Sequence, residues 1–186
     1  IILKVNNQEI EYSEEFEIEN ANFGRPHIIL LGAGASYAAF PNGDRSGNKL
    51  PLLRDFVDVI GLETEMREAK MSPPYSDFEA IYSEIYLNPS LAKTRESIDR
   101  KVTDYFSNLE LPDEPTLYDH LVLSLRPKDV IATFNWDPFL YQAFIRNHKV
   151  AEMPYMSYLH GTVALGFSKE DRRSGPAGWY SKATKN

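Results

Sequence analysis

The stretch that most constrains this chain is His27-Ile28-Ile29-Leu30-Leu31-Gly32-Ala33-Gly34-Ala35-Ser36. Four consecutive apolar residues, Ile28 to Leu31, run into Gly32-Ala33-Gly34. A short apolar run bounded by glycine reads as a strand buried on both faces. Gly32 and Gly34 let the backbone turn tightly and present its N–H groups, the geometry of a phosphate cradle at a strand-to-helix turn. An ordinary βα turn has the same outline. The dinucleotide fingerprint G-x-G-x-x-G is not met, because its third glycine would fall at Tyr37 and no second strand ending in an acid comes about 20 residues on. A hydride-transferring Rossmann enzyme is therefore disfavoured.

The rest of the chain bounds the reading. Its 186 residues suit one domain, or one domain with a small appendage, and an apolar content of 42% is enough for a real core. The formal charge of −7, with no Lys/Arg run, gives no sign of a nucleic-acid surface. With no cysteine there is neither a disulfide nor a thiolate zinc site, the four histidines are scattered, and no metal is expected. No apolar run is long enough for a membrane span, and no signal peptide is seen, so the expected location is cytoplasmic. The chain opens on Ile1 and ends in a polar, glycine-bearing stretch, Ser174–Asn186, so a longer natural protein is expected.

Residues 1–26 read as an N-terminal extension, with alternating apolar patches at Ile1–Val5 and Phe16–Ile18 that suit two short edge strands or a hairpin around Asn6-Asn7. After the glycine turn, Pro41–Asn48 is a loop rich in turn residues, lying over a ligand or plainly on the surface. Pro51–Ile60 has helical spacing and stops at Gly61. Glu63–Ser72 reads as charged and mobile. Ser76-Asp77-Phe78-Glu79 is a capping box opening a helix through Leu87, with Phe78, Ile81, Tyr82 and Ile85 inward. A longer helix runs from Ser90 to Leu109 with an inward stripe of Leu91, Ile98, Val102, Tyr105 and Leu109. Pro115 and Thr116 open a third, carrying Leu117, Leu121 and Leu125, with His120 near its apolar face.

Asp129–Thr133 then reads as a second buried strand, running into Phe134-Asn135-Trp136-Asp137-Pro138, where Asp137 is placed to cap a helix containing Phe139, Leu140, Ala143 and Phe144. Met156–Leu159 is a third strand, leading into His160-Gly161. Strands separated by helices imply a mainly parallel α/β sheet with helices on both faces. In such sheets ligands bind beyond the carboxyl ends of the strands. Three polar groups fall there: the Gly32–Ser36 turn, Asn135 with Asp137, and His160.

These three motifs together resemble the SIR2-like, sirtuin-related family. Gly32-Ala33-Gly34-Ala35-Ser36 is similar to its first NAD-binding motif, Thr133-Phe134-Asn135-Trp136-Asp137 to its T-x-N-x-D motif, and His160-Gly161 to its catalytic His-Gly. Asp77-Phe78-Glu79 looks like the bacterial SIR2-like proteins. The match covers roughly residues 27–165. The resemblance implies a Rossmann-like fold over 27–186, C-terminally incomplete, that binds NAD as substrate and cleaves its nicotinamide–ribose bond. It places NAD on Gly32, Ala33, Gly34, Ala35, Ser36, Thr133 and Asp137, and the chemistry on Asn135 and His160. The family's deacylases carry a four-cysteine zinc module, so the absence of cysteine argues against protein deacylation. NAD depletion in bacterial defence against phage is the implied role.

The chemistry fits the residue types. Breaking the N-glycosidic bond of NAD gives an oxocarbenium-like centre, as in glycoside hydrolysis. Nicotinamide leaves as a neutral group, so the needs are phosphate anchors, a hydrogen bonder for ribose or water, and a base of the histidine type. Gly32, Gly34 and Ser36 suit the first, Asn135 the second and His160 the third. Asp137 suits ribose hydroxyls or a helix cap. Arg45 and Arg54 are weaker phosphate candidates. Two other functions stay open: a nucleotide-binding sensor or assembly module with little catalysis, and ADP-ribosyl transfer to a macromolecule. Homo-oligomers or further fused domains are the expected partners besides NAD.

Overall fold

The structure, a computed structural model, describes residues 2–5, 8–11, 25–168 and 172–176. It is a mixed α/β chain with a three-stranded parallel sheet and, among the described residues, seven α-helices. The strands β3 (Ile28–Leu31), β4 (Val130–Thr133) and β5 (Tyr155–Tyr158) lie side by side in chain order, with Ile28, Val130 and Tyr155 in register. Two antiparallel pairs flank them in sequence, β1 (Ile2–Val5) with β2 (Gln8–Glu11) and β6 (Leu165–Ser168) with β7 (Arg173–Pro176). The first pairs antiparallel, with Val5 opposite Gln8, while Asn6-Asn7 and the second apolar patch, Phe16–Ile18, lie outside the described residues.

Between β3 and β4 come α1 (Ala33–Ala39), α2 (Phe56–Ile60), α3 (Glu63–Glu68), α4 (Phe78–Leu87), α5 (Ala92–Ser107) and α6 (Leu117–Ser124); α7 (Phe139–Asn147) joins β4 to β5. Registered residues of parallel strands share a face. The face carrying Leu31, Ile131, Met156 and Tyr158 packs on the main core, against Phe40, Val122, Phe139, Leu140 and Ala143. The opposite face carries Ile28, Leu30 and Tyr155, which are 74%, 62% and 68% exposed. The continuous apolar run of β3 was thus a misleading sign of burial on both sides. Among the described residues β3 pairs with β4 alone, and one of its faces is open.

Local physics sets the helix ends. Thr116 caps α6 by accepting from the Asp119 backbone N–H, and Asp119 returns the bond to the Thr116 N–H. The buried Asp119 also accepts from Asn147 and Arg146, which ties α6 to α7. The buried side of α6 is therefore Tyr118, Asp119 and Val122; Leu117 and His120 face outward, contrary to the stripe read from the sequence. At α4 the cap is Asp77, bonded to the Ala80 N–H, in place of Ser76. Glu63–Ser72 also departs from expectation. Met66 is fully buried, and Glu65 takes hydrogen bonds from Ser97 and Lys101 of α5, so this charged segment is a packed helix.

Candidate functional site

The carboxyl ends of all three parallel strands open on one cavity of about 170 Å³. Ala33 and Ser36 reach it from the start of α1, Phe134 to Asp137 from the loop after β4, and His160 from the turn after β5. Leu50, Pro51, Phe56 and Phe106 form the apolar wall. Trp136 stands edge-on to both Phe56 and Phe106, at 5.9 and 6.0 Å between ring centroids. A second cleft of about 580 Å³, bordered by Tyr82, Val102 and Val163, shares Trp136 and His160 with the first.

The glycine turn is the cap of α1. Gly32 is extended and supplies no side-chain cap; the Ala35 N–H bonds the Gly32 carbonyl, which leaves the Ala33 and Gly34 amides as the uncapped donors of the first turn. A Cβ built on Gly32 or Gly34 meets no atom within 4 Å, and neither has a positive φ. Protein packing therefore does not require glycine at either position; the space above them is open. Of the turn, Ala33 and Ser36 line the cavity, whereas Gly32, Gly34 and Ala35 are not among its lining residues.

The polar floor is a buried network. Ser36 is 2% exposed, and its Oγ donates to Asp137 Oδ2 at 2.7 Å, accepts from Asn135 Nδ2 at 2.9 Å and lies 2.7 Å from Tyr118 Oη. Asp137 Oδ1 accepts from the Phe139 N–H, the first amide of α7, but the cap position itself falls on Pro138 and not on Asp137 as expected; the other Asp137 oxygen serves the network. Burial pushes the Asp137 carboxyl up to about 6, against the opposing bonds from Ser36, Phe139 and Asn135. Burial, with the Asp137 charge nearby, raises the Tyr118 and Tyr158 hydroxyls. Asn135 is 8% exposed, and its Oδ1 is buried with no hydrogen-bond partner.

Not every expected residue reaches the cavity. Thr133 is fully enclosed, and its hydroxyl accepts from the Asn135 N–H, so it shapes the loop instead of facing a ligand. Arg45 pairs with Glu110 and Asp113, and neither it nor Arg54 lines the cavity. The 41–48 loop is held by Asp44, which accepts from Ser46, Asn48 and Glu110. Leu50 and Pro51, just past the loop, reach the cavity in its place. His160 is exposed at the rim and meets the Phe134 ring edge-on at 4.9 Å. Gly161, at φ +78°, turns the chain away behind it. Tyr118 was missed: no spacing in the sequence connects α6 to the ends of β3 and β4. Among the described residues no group of three or more His, Asp or Glu side chains is placed to hold a metal. No protein-family model and no curated protein matches the chain.

Proposed function

We propose that the chain is a SIR2-like NAD⁺ hydrolase that cleaves the nicotinamide–ribose bond, acting in bacterial defence against phage by depleting NAD. One observation carries the reading: Ala33, Asn135, Asp137 and His160, from three motifs far apart in sequence, line one cavity at the carboxyl ends of three parallel strands. The same reading takes the fold as Rossmann-like with helices on both sheet faces, the open face of Ile28, Leu30 and Tyr155 being where a second layer would pack. It places the protein in the cytoplasm, as an oligomer or part of a longer chain.

In this scheme the dinucleotide phosphates meet the uncapped amides after Gly32, where open space admits close approach to the backbone. The apolar wall excludes water from the nicotinamide–ribose bond. The buried Oδ1 of Asn135 offers an acceptor to a ribose hydroxyl or the attacking water. His160, at the rim, takes the proton as water adds to the anomeric carbon, while the C–N bond pair leaves with nicotinamide.

The test is to incubate the protein with NAD⁺ and measure nicotinamide, free ADP-ribose and protein-linked ADP-ribose. Equal yields of the first two are expected. His160→Ala and Asn135→Ala should each lower the rate, by about 10²–10⁴-fold for the base, with NAD⁺ affinity by calorimetry largely kept. Tight binding with no turnover would replace the hydrolase by a nucleotide sensor. Protein-linked ADP-ribose would replace it by a transferase, and no binding would refute the site.

A further inference from the structure

The hydroxyl of Ser36 has one hydrogen to give and room to accept two. Its hydrogen goes to Asp137 Oδ2, and one acceptance is taken by Asn135 Nδ2. Tyr118 Oη, 2.7 Å away, is therefore the second donor. Ser36 is then fully used within the protein, and its hydroxyl has nothing left for a phosphate. The Tyr118 ring is buried edge-on against Phe40 at 5.5 Å, so the phenol is held where it is.

We propose that Tyr118 is a positioning residue for Asn135: by filling the second lone pair of Ser36, it helps leave the amide one orientation, nitrogen toward Ser36 and carbonyl oxygen free for a ligand. The inference rests on reading Asn135 as the residue that meets the substrate. The unpartnered Oδ1 of Asn135 is the mark of that orientation.

The arrangement depends on Asp137 being ionised. A protonated Asp137 would itself donate toward Ser36, whose lone pairs are already filled. The Ser36 hydrogen would then have to turn elsewhere, and Asn135 could meet it only by flipping its amide. Tyr118 opposes this, because its donation polarises the Ser36 hydroxyl and strengthens the bond to the carboxylate. The other titratable groups around Asp137 are Tyr158 of β5, and Glu79 and His160 on the shared cavity wall.

Tyr118→Phe keeps the ring against Phe40 and removes only the donor. The first readout needs no NAD: in ¹⁵N-labelled protein, the side-chain NH₂ signals of Asn135, identified by their loss in Asn135→Asp, should titrate near pH 6 in the parent. In Tyr118→Phe their midpoint should move to higher pH. Ser36→Ala, which removes the hub, should abolish that titration. The second readout is NAD⁺ cleavage. Tyr118→Phe should lower kcat by roughly ten- to a hundredfold with KM little changed. Tyr118→Phe combined with Ser36→Ala should be no worse than Ser36→Ala alone. Unmoved Asn135 signals in Tyr118→Phe, or additive losses in the double variant, would overturn the role of Tyr118. Cleavage with unmoved signals rejects Tyr118 and keeps the hydrolase; shifted signals in a protein that cleaves no NAD⁺ keep the network and reject the hydrolase.

Discussion

Asp137 makes a prediction about stability that is independent of any ligand. Its carboxyl is raised from 3.8 to about 6 in the folded chain, chiefly by burial. An acid raised by folding holds its proton in the native state at pH values where the unfolded chain has lost it. Stability from this group is therefore present at low pH and lost as pH climbs through the folded value. Between pH 5 and pH 7 the folded carboxyl gives up nearly all of its proton, while the unfolded one has little left to give. The difference amounts to about 1 kcal/mol less stability at pH 7 than at pH 5. For a domain of this size that corresponds to roughly 2–4 °C in Tm. Burial alone would also raise Asp44, Glu65 and Asp119, but their hydrogen bonds outweigh it and hold them low, and a bond from Arg126 does the same for Asp129. Those four act in the opposite sense, and whatever they still add above pH 5 is common to the parent and to Asp137→Asn, so it cancels when the two are compared. The assay is urea unfolding by circular dichroism at pH 5, 6 and 7, in the parent and in Asp137→Asn, which carries no titrating proton there. The gap between the two should shift by about 1 kcal/mol in favour of Asp137→Asn as pH rises. Parallel curves would refute the assignment of a raised Asp137.

Other expectations concern packing and backbone. Phe78 is buried and stacked on Phe56 at 4.3 Å, so Phe78→Ala should cost about 3–5 kcal/mol in the same urea assay. Gly43 sits at φ +87° with an added Cβ only 2.5 Å from the Asn48 carbonyl oxygen, so Gly43→Ala should lower Tm sharply. Gly34→Leu should leave Tm nearly unchanged, because the space above it is open; calorimetry should show it losing NAD⁺ affinity, and retained affinity would remove the glycine turn from the site. Thr116→Ala should cost about 1 kcal/mol through loss of the α6 cap.

The elements that position the site were legible because their signals are local. Gly32 after Ile28–Leu31, Pro138 before Phe139 and Gly161 after His160 each mark where a strand or turn ends, and each does so here. The strand ends at Asn135 and His160 could be placed from this alone. What was not legible depends on partners distant in sequence. Glu65 looks solvated until Lys101 arrives from α5 to neutralise it. Leu117 looks buried until Asp119 claims the inward face of α6 through Arg146 and Asn147. Ser36 looks like a phosphate ligand until Tyr118, Asn135 and Asp137 occupy its hydroxyl. In each case the residue type suggested one role and a non-local hydrogen bond set another.

The order of the parallel strands also says how the fold is assembled. β4 and β5 are joined by a single strand–helix–strand unit, with Val130 opposite Tyr155. β3 meets β4 only across a long excursion: the bond from the His27 N–H to Asp129 spans 102 residues. Closing that loop costs about 1.2 kcal/mol more entropy than closing the loop of about 25 residues between β4 and β5. The unit of β4, α7 and β5, bearing Asn135, Asp137 and His160, is therefore expected to form early, and β3 to dock late with the glycine turn and Ser36. In folding kinetics Leu140→Ala should slow folding, whereas Ile29→Val should mainly speed unfolding; equal slowing by both would contradict this order. The cavity is then closed at the end of folding, when the Ser36 hydroxyl reaches an Asp137 already in place.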